Sequence, residues 1–244
     1  KREGALAFTE AVDLVLPVMA AVTEAHDAGV VHRDLKPANI FLARSRRGAV
    51  EPKVLDFGIS KVADDEDDSH LTASDAMIGT PCFMAPEQVR GARNASPASD
   101  QYALGVILYQ CVTGKLPYRG ATAFATFERI VRGEYTRPRE HVPALPEGLD
   151  AVIVRALSPE VSGRFGSVAE MGAALLPFAS EAARALWSST FAPAPPPGVT
   201  PTSLPAEVSP SVGTLTGTPG ELDAKSPPRA SQRPLALGVA ATIG

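Results

Sequence analysis

Cysteine is scarce in this chain: 244 residues contain two, Cys82 and Cys111. Two thiols cannot build a disulfide framework or a four-ligand zinc site, so both are expected to be reduced. A basic excess is lacking too. Lys and Arg number 23 against 27 Asp and Glu, for a net charge of −4. Binding along a phosphate backbone requires concentrated Lys and Arg. Nucleic acid is therefore excluded as a partner, and the Arg44 to Arg47 trio reads as a solvated loop. Long hydrophobic runs are also lacking. The closing stretch Pro234 to Gly244 is uncharged, but it is about half of the roughly 20 residues that a membrane-spanning helix needs.

What is present is ordinary for a globular protein: 45% hydrophobic and 20% charged residues, enough for one core plus a tail. About half of the 23 prolines fall between Pro193 and Pro234, among Ser, Thr, Ala and Gly. Such a stretch buries too little apolar surface to offset its ordering entropy, so it reads as a disordered linker. Near the start, Val12, Val15, Leu16, Met19 and Val22 recur at helical spacing. They predict one amphipathic helix with an N-cap at Thr9, a bend at Pro17 and a stop at Gly29.

The chemistry is concentrated after that helix, in His32-Arg33-Asp34-Leu35-Lys36-Pro37-Ala38-Asn39. A carboxylate, an ammonium and an amide at these intervals suit phosphoryl transfer, which needs a base, a cation on the migrating group and an oxygen ligand for Mg²⁺. Asp56-Phe57-Gly58 and then Ala85-Pro86-Glu87 follow in order. Ile40 to Leu42 and Lys53 to Leu55 read as the two strands of a hairpin that delivers Asn39 and Asp56 to one place.

These motifs resemble the eukaryotic-like (Hanks-type) serine/threonine protein kinases of bacteria, over Phe8 to Phe178. The resemblance implies an α+β protein-kinase-like fold, with ATP and Mg²⁺ as cofactors and proteins with Ser or Thr acceptors as substrates. It implies Asp34 as base, with Lys36 and Thr80 beside it in catalysis. Lys36, Asn39 and Asp56 would bind the cofactor, Asn39 and Asp56 through the metal. Lys36, two residues after Asp34, favours Ser or Thr over Tyr as acceptor. Arg33 would contact an activating phosphate on Thr72, with Ser69 and Ser74 as lesser candidates. His32 would pack and support rather than catalyse. Asp100 would accept backbone bonds from the catalytic loop, and Glu87 and Arg164 would form a buried ion pair. The usual Asp-Pro ahead of that Arg is here Glu160-Val161.

No G-x-G-x-x-G occurs, and few residues precede His32. The expectation is therefore a mainly α-helical C-terminal lobe over residues 1–180, with the N-terminal lobe absent. A Pro-rich linker would follow over 181–233 and the possible start of a transmembrane helix over 234–244. Such a chain would be poorly active alone, its activity requiring the missing lobe. Arg229 and Arg233 ahead of the last run would place the kinase region on the cytoplasmic side of a membrane anchor. The alternative is a lobe-only or pseudokinase-like scaffold that binds proteins without catalysis. A small-molecule kinase is disfavoured by Gly79-Thr80-Pro81 leading into Ala85-Pro86-Glu87.

Overall fold

Helix α1 (Phe8–Asp27) forms because Val12, Val15, Leu16, Met19 and Val22 share one face and are buried there. Its N-cap is Ala7, without a side-chain cap, rather than Thr9. Burial of the stripe, not capping, sets its start. The helix runs on through Pro17, and Gly29, at φ 76°, turns the chain out of it in the left-handed region that glycine reaches without strain. The computed structural model describes residues 4–44, 50–56 and 81–192. A first unit extends to Pro197; the second, Gly198–Gly244, lies outside the described residues, as does the expected membrane segment.

After the loop from Val30 to Asn39 come β1 (Ile40–Arg44) and β2 (Val50–Val54), paired antiparallel with Ile40 opposite Val54 and Arg44 opposite Val50. The described residues thus hold an antiparallel sheet. This counts against the expectation of a chain whose sheet-bearing lobe is absent. A hairpin needs only two five-residue strands and a short connection, so neither a missing Gly-rich loop nor a short leader argues against a sheet.

Helices make up the body. Helix α2 (Pro86–Arg90) is short. Helix α3 (Pro97–Thr113) starts at Ser96 with Pro97 in its first turn and ends at the left-handed Gly114. From Ser99 to Tyr109 every residue is buried, polar Ser99, Asp100 and Gln101 included, and Tyr102, Leu104, Val106, Leu108 and Tyr109 are almost fully so. Helices α4 (Ala123–Arg132), α5 (Pro138–His141), α6 (Glu147–Ala156) and α7 (Val168–Leu175) follow. α1, α6 and α7 all pack on α3. The approach to α6 is close enough that a Cβ at Gly105 would lie 2.8 Å from Ala156 Cβ. Ser167 opens α7, its Oγ accepting from Glu170 N at 3.0 Å. That helix is not the last. Helix α8 (Glu181–Trp187) lies beyond residue 180, where the sequence reading ends the domain. Ser180 caps it and donates its N–H to Asp13 Oδ1 of α1 at 2.9 Å. Further on, Phe191 is buried at Gly172 of α7.

Candidate active site

The loop from Val30 to Asn39 joins the end of α1 to β1, and Asp100, in the first turn of α3, organises it. One carboxylate oxygen of Asp100 accepts the His32 N–H at 2.8 Å and the other the Arg33 N–H at 2.9 Å. His26 Nε2, near the end of α1, reaches Asp100 Oδ2 at 2.8 Å. A carboxylate that is 1% exposed needs such partners. Arg33 adopts a left-handed backbone, φ 66°, which costs a residue with a Cβ about 1–3 kcal/mol. The bond from its N–H to Asp100, and one from Gln88 Nε2 to the Arg33 carbonyl at 2.8 Å, hold it there.

His32 is fully buried. Its Nδ1 accepts the Asp34 N–H at 3.3 Å, so its proton sits on Nε2, which donates to the Leu55 carbonyl at 3.0 Å. The ring therefore ties the backbone at Asp34 to the residue just before Asp56. The hairpin makes the second tie, with Leu55 N donating to the Asn39 carbonyl at 2.8 Å. Asp56 follows at the end of β2, exposed and left-handed at φ 51°. Lys36 Nζ donates to Asp34 Oδ2 at 2.9 Å, with both side chains partly exposed.

Asn39 donates its side-chain N–H to the Asp34 carbonyl at 2.8 Å, which leaves its Oδ1 as the atom for another partner. An amide oxygen and an exposed carboxylate are hard donors of the kind Mg²⁺ takes. Among the described residues no group of three or more His, Cys, Asp and Glu is gathered into a metal cage. The donor set fits a cation that completes its shell with water and phosphate oxygens, as Mg²⁺ does.

Below this loop Glu87 and Arg164 form a two-pronged pair, Arg164 Nη1 to Oε1 at 2.9 Å and Nη2 to Oε2 at 2.8 Å. The guanidinium also donates to the carbonyls of Ala98 and Ser158 and lies over the Tyr102 ring. Ser99 Oγ donates to Glu87 Oε1 at 2.8 Å. Burial alone would push the Glu87 carboxyl up, but hydrogen bonds from Arg164 and Ser99 and the Arg164 charge leave its pKa lowered. Cys82, in the turn Pro81–Phe83, is a buried thiol whose pKa burial raises. Both cysteines are free.

The structure thus gathers His32, Arg33, Asp34, Lys36, Asn39, Asp56 and Asp100 around one loop and sets Glu87 and Arg164 beneath it. Thr80, Ser69, Thr72 and Ser74 lie outside the described residues. Sequence reasoning missed Gln88, His26 and Asp150. Asp150 is 2% exposed and accepts from Arg137 Nη2 at 2.7 Å and Arg139 N at 3.1 Å. A signal for Gln88 exists, because Gln three residues after a helix-opening residue reaches back to its N–H. His26 carries no such mark, since a histidine near the end of an amphipathic helix looks like a surface residue.

The family described as "Protein kinase domain" matches residues 1–178 of the chain. This chain belongs to the protein kinase family. A probable serine/threonine-protein kinase of Corynebacterium efficiens is 34% identical across the whole chain, which covers 39% of that protein. The serine/threonine-protein kinase PknB of Mycolicibacterium smegmatis is 38% identical over 71% of the chain and 27% of its own length. Pkn1 of Myxococcus xanthus is 41% identical over 70% and 24%. The kinase chain thus spans well under half the length of these curated relatives. Among solved structures, Rad53 1–466 in complex with AMP-PNP superposes with a TM-score of 0.54 at 25% identity, over 71% of this chain and 41% of that one. The match from residue 1 overturns the expectation of a chain confined to the larger lobe, as does the antiparallel sheet β1–β2. That expectation rests on one short glycine motif and a residue count. Neither captures the similarity spread along a domain's packing positions.

Proposed function

We propose that this chain is catalytic and transfers the γ-phosphoryl of ATP to Ser or Thr hydroxyls of proteins. The observation that carries the reading is the convergence of Asp34, Lys36 and Asn39 on one loop, with Asp56 brought alongside through the Leu55–Asn39 bond. Asp34 accepts and orients the attacking hydroxyl. A loose transition state asks for positioning more than for basicity, so a carboxylate suffices. Lys36, bonded to Asp34, offers its ammonium to the migrating phosphoryl group. Asn39 Oδ1 and the Asp56 carboxylate would hold Mg²⁺, which when bound neutralises charge on the nucleotide phosphates. Two solved kinase neighbours in complex with AMP-PNP, an ATP analogue, support the choice of nucleotide. The names of the bacterial relatives, and Lys36 two residues after Asp34, support Ser or Thr as acceptor.

Asp34→Asn and Asp56→Asn, made in the full-length protein, test this reading. With Mg-ATP and a generic basic protein, each should lower phosphate incorporation by about 10²–10⁴-fold while the thermal midpoint stays near wild type. Activity within about threefold of wild type for either variant would overturn the assigned roles.

A further inference from the structure

Asp34 leaves the backbone directly after Arg33, so the plane of the peptide between them sets the direction from which its carboxylate is presented. Arg33 is left-handed, and a residue with a Cβ keeps that conformation only where its surroundings fix it. Its N–H is fixed by Asp100 Oδ1 at 2.9 Å. Its carbonyl is fixed by Gln88, whose Nε2 donates to it at 2.8 Å. The other end of the same amide, Oε1, accepts the Ala85 N–H at 3.0 Å. One side-chain amide therefore joins the residue before Asp34 to the residue that opens α2. Gln88 has little room to follow a displaced loop, because its neighbour Glu87 is locked by both prongs of Arg164 and by the Ser99 hydroxyl. The tie constrains the loop, not the helix.

We propose that Gln88 is a positioning residue for Asp34: it holds the Arg33 carbonyl and so fixes the plane from which the base is presented. The inference rests on the phosphotransfer reading above. Gln88 touches no reacting atom; it acts through the Arg33–Asp34 peptide. The donor half of its amide is the part that matters, and two substitutions separate it from the rest. Gln88→Met keeps length and removes donor and acceptor together. Gln88→Glu keeps size and the acceptor for Ala85 N–H, and it offers a donor to Arg33 only when its carboxyl is protonated.

The experiment is steady-state kinetics on the full-length protein with Mg-ATP and a protein acceptor, alongside Asp34→Asn. Gln88→Met is expected to lower kcat about 10-fold, as misplacement of a catalytic group does, with KM for ATP within about twofold and the thermal midpoint unchanged. Gln88→Glu is expected to match it above neutral pH. Its kcat, taken as a ratio to wild type at the same pH, should then recover as pH falls through the carboxyl range. Undiminished kcat in Gln88→Met would overturn the proposal, as would a Gln88→Glu ratio that stays flat with pH. Equal activity of wild type and Asp34→Asn would instead remove the phosphotransfer reading on which the proposal stands.

Discussion

Arg164 has no exposed side-chain surface, and Glu87 retains 13%. Each is tolerable in the interior because the other is there. Arg164→Ala would strand a mostly buried carboxylate and should cost about 3–5 kcal/mol of unfolding free energy in urea denaturation. The acid dependence has a definite sign. The Glu87 carboxyl is lowered in the folded state, so its stabilisation is complete above the ordinary glutamate range near pH 4.3 and fades as pH falls through the lower folded value. Glu87→Gln should therefore be less stable than wild type at pH 7, with the gap closing only below about pH 4. An equal gap at pH 7 and pH 3 would contradict this. The pair was legible in sequence because it sits at fixed places in a known pattern. His26 was not, because it meets Asp100 only when α1 and α3 are in place, and the helix-start signal at Gln88 says nothing of its bond to Arg33, which the fold alone creates.

At the level of elements, α1 was readable from apolar spacing alone, and the hairpin from its two short apolar runs. Helix α8 was not. The Pro-rich stretch that begins at Pro193 drew the start of the expected linker back to residue 181, although Ser180 is a good N-cap residue and Trp187 and Phe191 stand four apart. Their rings meet at 6.4 Å between centroids, and a Cβ on Gly172 would lie 2.5 Å from the Phe191 ring. Gly172→Val should therefore push the ring out of α7, at a cost of about 1–3 kcal/mol as overpacking typically does. Limited proteolysis should then cut near residue 191 in the variant sooner than in wild type. Identical cleavage patterns would show that the notch at Gly172 does not hold the segment.

For the whole molecule, what was legible was the family, since three motifs in order are hard to produce by chance. The expectation of an absent N-terminal lobe did not hold, because it rests on one absent motif and a count of the residues before His32. No helix among the described residues is long and apolar enough to cross a membrane. The uncharged run from Pro234, preceded by Arg229 and Arg233, supports a proposal of membrane anchoring with the kinase on the cytoplasmic side. Fractionation of cells expressing the full-length protein should place it with membranes and release it only in detergent. Recovery in the soluble fraction would refute the anchor.

Helix α3 carries one more consequence. Between Ser99 and Tyr109 the helix is buried around its circumference, so nearly any change there alters packing or strands a polar group. Helix α4, which leaves Phe124 77% exposed, has room for change. Over many generations the sequence of this protein should drift at two tempos, slow along its central axis and fast along its rim.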